Sequence, residues 1–106
     1  MLILLSPAKD LAQDTPLVAK ATQPALLAHA VPLVDKLKTF SAKKLSELMD
    51  LSPKLGELNR QRYAEWSTPF TLKNARPAVF TFNGEVYRGL DARSLSTGDL
   101  DFAQHH

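Results

Sequence analysis

Leu45-Ser46-Glu47-Leu48-Met49-Asp50-Leu51-Ser52-Pro53-Lys54-Leu55 reads as the end of one helix, a very short turn and the start of another. Ser52 in the N-cap position and Pro53 at the first helical position form a strong start signal, because proline has no N–H to waste and its φ is already helical. Upstream, Ser41 caps a helix running to about Met49, with Leu45, Leu48 and Met49 as its apolar stripe. Downstream, Leu55, Leu58 and Tyr63 or Trp66 supply the buried side of the second helix. Before the pair, Leu26, Ala30, Leu33, Leu37 and Phe40 fall at four- and three-residue steps, which predicts another helix face. Pro32 interrupts that run. An interior proline costs roughly 3 kcal/mol, so this helix either kinks there or starts near Val31 with proline in its first turn.

Two short apolar runs flank the helical region. Leu2-Ile3-Leu4-Leu5 stops at Ser6-Pro7, and Ala78-Val79-Phe80-Thr81-Phe82 sits between Pro77 and Asn83-Gly84. Their continuous apolarity and β-branched or aromatic content predict strands buried on both faces. The expected fold class is therefore α/β, or mixed α+β, with two buried strands and several helices. Two strands do not make a stable sheet, and the tail from Thr97 reads as the first turns of a helix cut short. The chain is thus expected to be the N-terminal portion of a larger domain, spanning residues 1–106, and to self-associate through uncovered faces. Residues 10–24 and 67–77 read as loops, and Asn83 to Leu90 as a turn into a short helix, with Gly84 allowing close approach and Gly89 ending it.

Composition narrows the function classes. With 106 residues and 44% hydrophobic content the chain can bury one modest core. A formal charge of +2 does not by itself announce nucleic acid. The absence of cysteine rules out disulfides and thiolate metal sites. His29, His105 and His106 have no ligand spacing, so neither metal nor cofactor is expected. The run after Met1 is too short for a signal segment or a membrane span, which predicts a cytoplasmic protein with no membrane partner.

Chemistry concentrates in two places. A helix, tight turn and helix is the frame on which a helix-hairpin-helix module holds DNA backbone, since the second helix offers unpaired N–H groups and a positive dipole end to a phosphate. Ser52 and Lys54 sit at that end, Lys43 and Lys44 precede it, Arg60 and Arg62 follow it, and Lys36 and Lys38 lie upstream. Asp50 would repel a phosphate, and Glu47, Glu57 and Glu65 dilute the patch; an ordinary hairpin with solvated charged faces explains the same residues. The second place joins Ser6 and Lys9, just past the first predicted strand, to Tyr87 and Arg88, just past the other. These four residues could form a cleft for a phosphate or an acid/base group, or only packing corners.

Several stretches together carry a family resemblance: Leu4 to Lys9, Leu51 to Leu55 with Leu58-Asn59 and Arg62 to Trp66, Asn74-Ala75-Arg76, Phe82 to Leu90, and Asp101 to Gln104. The chain resembles the N-terminal part of the YaaA family of bacterial peroxide stress resistance proteins. The resemblance implies a cytosolic α/β protein with a positively charged cleft and a helix-hairpin-helix element. It further implies DNA binding and a role in limiting free iron and DNA damage under peroxide stress. Carried onto this sequence, the element spans Ser41 to Trp66, with phosphate contacts at Lys43, Lys44, Ser52, Lys54, Arg60 and Arg62. The cleft draws on Lys9 and Arg88. The full-length protein is expected to bind double-stranded or structured DNA. The alternative is an enzyme whose cleft acts on a phosphorylated or nucleic-acid substrate.

Overall fold

A computed structural model describes residues 1–18 and 20–106. The regular structure among the described residues is helical. α1 spans Leu27–Lys38, α2 Ala42–Met49, α3 Pro53–Glu65, α4 Ala78–Thr81, α5 Glu85–Leu90 and α6 Thr97–His105, with a single 3-10 turn at Ala92–Ser94 before α6. The chain divides into two compact units, one of residues 22–74 and one of residues 1–21 with 75–106. Among the described residues no helix is long and apolar enough to cross a membrane.

The expected α/β class is overturned: no sheet exists among the described residues, and the one β pairing is an isolated antiparallel bridge between Leu11 and Phe82. Leu2 to Leu5 has no regular structure and is exposed throughout. Ala78 to Thr81 is a helical turn. Pro77 precedes it with φ −56°, and its carbonyl accepts from the Phe80 and Thr81 amides and from the Thr81 hydroxyl. These local bonds satisfy the backbone, whereas a strand here would need a partner ladder.

In the unit of residues 22–74, α1 and α2 both pack on α3. α2 starts at Ser41, whose hydroxyl accepts the Lys44 amide at 3.2 Å, and α3 starts at Ser52, whose hydroxyl accepts the Leu55 amide at 3.3 Å. Between them Asp50 adopts a left-handed conformation, φ 51°. That twist lets the Asp50 and Leu51 amides both reach the Ser46 carbonyl, closing α2. The Ser46 hydroxyl then donates to the Ser52 carbonyl at 3.3 Å, tying the end of α2 to the start of α3.

The helices meet at Gly56, the buried residue of α3. A Cβ there would collide with the Ser46 hydroxyl and stand 2.7 Å from the Ala42 carbonyl oxygen. Leu45, next to Ser46 on α2, is fully buried, and the Tyr63 hydroxyl lies 4.0 Å from the Met49 sulfur. The predicted apolar stripes are accordingly rotated. α3 buries Gly56 and half-buries Asn59 and Tyr63, leaving Leu55 and Leu58 outside, and α2 leaves Leu48 exposed. In α1 the inward stripe is Leu27, Ala30, Val31, Val34 and Leu37, while Leu26 and Leu33 face out. α1 starts at Leu27 and holds Pro32 in its interior, so of the two readings the start near Val31 is overturned.

In the same unit, Asn74 holds the loop after α3. Its side-chain oxygen accepts the Thr71 amide at 2.7 Å, and its side-chain nitrogen donates to the Ser67 hydroxyl and the Pro69 carbonyl. The Trp66 and Phe70 rings meet edge to face at 5.5 Å.

In the other unit, residues 6–12 lie along α4 and α5. The Tyr87 hydroxyl donates to the Ser6 carbonyl at 2.8 Å, the Asn83 side chain to the Asp10 carboxylate at 2.7 Å, and the Asn83 amide to the Asp10 carbonyl at 3.1 Å. Ala8 sits so close to Gly84 that a Cβ there would stand 3.1 Å from the alanine methyl. Gly89 lies inside α5, and Asp91, left-handed at φ 46°, ends that helix in its place. α6 opens on a capping box. The Ser96 hydroxyl accepts the Asp99 amide while the Asp99 carboxylate accepts from Ser96, holding that carboxyl below the ordinary aspartate range.

Two substitutions test this account. Helix propensity alone makes Gly56→Ala a gain of about 1 kcal/mol. The contact with α2 makes it a loss of about 1–3 kcal/mol, which chemical denaturation will read as a lowered midpoint. Adding Ser46→Ala restores only the hydroxyl part of that loss, because the Ala42 carbonyl is backbone. Tyr87→Phe removes one partly exposed hydrogen bond, a loss of about 0.5–1 kcal/mol, and hydrogen exchange should show amides near Ser6 to Asp10 less protected.

Candidate nucleic-acid interface

The cations predicted to flank a phosphate track are spread along the unit of residues 22–74. Lys54 stands exposed in the first turn of α3, beside the chain reversal. Lys43 and Lys44 occupy the first turn of α2, and six residues of helix at 1.5 Å each put Lys43 about 9 Å along the axis from Met49. The Lys44 ammonium lies over the Phe40 ring, 4.2 Å from its centre, a placement that leaves its other side to solvent. Upstream, the Lys38 ammonium donates to the Trp66 carbonyl at 3.0 Å and so is engaged inside the unit.

Arg60 is held differently. Its guanidinium makes a forked contact with Glu57 one turn earlier, at 2.6 Å from Nη2 and 3.0 Å from Nε. The Arg60 hydrogen bond lowers the Glu57 pKa below the ordinary carboxylate range, so at neutral pH the pair is fully ionised and Arg60 carries a competing anion. Arg62 is half-buried on α3, and its carbonyl accepts the Trp66 amide.

The start of α3 has less to offer an anion than its position suggests. Pro53 has no N–H, the Leu55 amide is taken by the Ser52 hydroxyl, and the Gly56 amide bonds the Ser52 carbonyl at 2.9 Å. Ser52 therefore serves as a cap, and the Lys54 amide is the first-turn donor outside these bonds. The exposed cation at this turn is Lys54, while Lys43 and Lys44 stand at the opposite end of α2.

The second predicted site lies in the other unit, where the structure draws together Ser6, Asp10, Asn83 and Tyr87 through the bonds described above. A cavity of about 220 Å³ opens beside them, lined by Phe80, Phe82, Asn83, Tyr87, Arg88 and Arg93 among others. Ser6 and Lys9 do not line it; Lys9 lies in the segment bound along α5, between Ala8 and Asp10. Arg88 donates to the Asn83 carbonyl at 2.7 Å. Arg93, which sequence reasoning passed over, donates to the Asp14 carbonyl with its carboxylate 3.8 Å away. The sequence carried no sign of Arg93, because its partner is 79 residues distant. Gly56 did have one: an isolated glycine inside a helical pattern marks a close approach.

A family model described as peroxide stress protein YaaA matches residues 1–106. Curated relatives include UPF0246 proteins of Burkholderia lata and Burkholderia vietnamiensis, each 53% identical over 107 residues, covering 100% of this chain and 41% of the relative. A UPF0246 protein of Bordetella avium is 55% identical over all of this chain and 42% of its own length. The chain therefore spans about two-fifths of the length of these relatives. The match over its entire length shows that the chain belongs to the peroxide stress protein YaaA family.

Proposed function

We propose that in the full-length protein the α2–α3 hairpin holds DNA backbone without reading sequence, as a cytoplasmic component of the peroxide stress response. The observation that carries this reading is the exposure of Lys54 at the capped chain reversal and of Lys43 and Lys44 at the opposite end of α2. Ammonium groups on such a frame neutralise phosphates at a fixed spacing and displace condensed counterions. Iron(II) is one such counterion, so occupancy of the backbone would keep iron from the phosphates and limit damage to the strand. The alternative, an enzyme acting on a phosphorylated or nucleic-acid substrate, has in its favour the aromatic cavity beside Tyr87 and Arg88.

Binding of a duplex of arbitrary sequence, measured over a range of salt, tests the hairpin. Each phosphate contact contributes about −0.9 to the slope of log affinity against log salt. The triple variant Lys43→Ala, Lys44→Ala, Lys54→Ala should bind more weakly and with a slope shallower by up to about 2.7. Glu57→Gln should tighten binding by releasing Arg60, and Asp50→Asn should tighten it slightly by removing a negative charge. Unchanged affinity and slope in a folded triple variant would place any DNA contact elsewhere.

A further inference from the structure

Several leucines of the unit of residues 22–74 face solvent. Only Val34 and Leu45 among its larger residues are buried, while Leu48 is 62% exposed, Leu55 43% and Leu58 39%, and Leu26 and Leu33 also face out. Leu55 and Leu58 are three residues apart on α3 and share one face of that helix. The Gly56 contact keeps that face outward. With α2 seated on Gly56, no rotation of α3 brings the leucines in without driving Ala42 and Ser46 off the glycine.

We infer that the outward leucine face of α3, Leu55 with Leu58, is the seat of an apolar polypeptide segment from the part of the family chain outside the matched region. In the curated relatives that part amounts to about three-fifths of the length. A segment on the same chain meets the face at an effective concentration on the order of millimolar, whereas a second copy must reach it by diffusion from bulk. The chemistry of the face also selects its occupant. Leucine side chains gain from another apolar surface and gain nothing from a phosphate backbone, so the seat is distinct from the lysines at Lys43 and Lys54.

The chain has no cysteine, so a thiol placed on the face reports its cover alone. Leu55→Cys and, separately, Leu58→Cys are introduced into the 106-residue chain. They are introduced also into a chimera in which these residues replace the matched part of the Burkholderia lata relative. Maleimide labelling, corrected for the parent chimera, should proceed in the short chain as at an exposed thiol and be slower by about tenfold or more in the chimera. Equal rates would overturn the inference. So would slowing in the short chain as its concentration rises, with the chimera still fast, since a second copy would then be the occupant. Should the chimera not fold, the remaining part of the relative is co-expressed with the short chain carrying Leu55→Cys. Co-purification with protection of the introduced thiol supports the inference, and co-purification with that thiol freely labelled refutes it. If the two parts fail to co-purify, the leucine face does not draw that segment, and the inference falls.

Discussion

Everything in the helical hairpin depends on the absence of one side chain, at Gly56. The backbone of α2 approaches α3 there more closely than any Cβ would allow. The approach lets the Ser46 hydroxyl reach the Ser52 carbonyl while the Ser46 carbonyl collects the two amides of the reversal. Ser46 thus joins the end of one helix to the cap of the next through both its backbone and its side chain. Leu45, next to Ser46 on α2, is the one large side chain fully out of solvent among the described residues. The energetic logic is a trade of helix propensity, about 1 kcal/mol for a mid-helix glycine, against dispersion contacts and hydrogen bonds that a wider spacing would forfeit.

What was legible in the sequence was local. Ser41 and Ser52 with Pro53 are capping signals whose partners lie within three residues, and each cap forms where the residue types call for it. The helix expected from Thr97 also forms, on a Ser96 cap that was not read from the sequence. What depends on distant partners was not legible. The apolar run Ala78 to Phe82 carries the same pattern whether it pairs with a strand or coils behind a proline, and the structure coils it. The helix stripes were legible in part. Ala30, Leu37, Leu45, Met49 and Tyr63 turn inward as their spacing predicts, while Leu26, Leu33, Leu48, Leu55 and Leu58 face out, and on α3 the position at the α2 contact goes to Gly56. At the second site, Ser6 and Tyr87, set together in the sequence reading, are joined across 81 residues, though not by the strands from which that reading argued, and Lys9 does not line the cavity.

Electrostatics along α3 follows the same division between near and far. Glu57 and Arg60 neutralise each other one turn apart, and the residues that begin the helix spend most of their donors on its cap. The exposed positive charge of the hairpin therefore lies on a few lysines rather than at the helix terminus. An exposed ammonium on a flexible stem is a point charge, suited to following a backbone and unsuited to recognising a base edge.

Pro32 gives α1 an internal seam. With no amide to donate, it leaves the Ala28 carbonyl without its intrahelical partner, one turn into a helix that begins without a side-chain cap. The turn before the proline is held by few bonds, while the turns after it carry Val34 into the core and end on Lys38 at the Trp66 carbonyl. A helix that lacks that bond and a side-chain cap is expected to fray at its first turn before its later turns open.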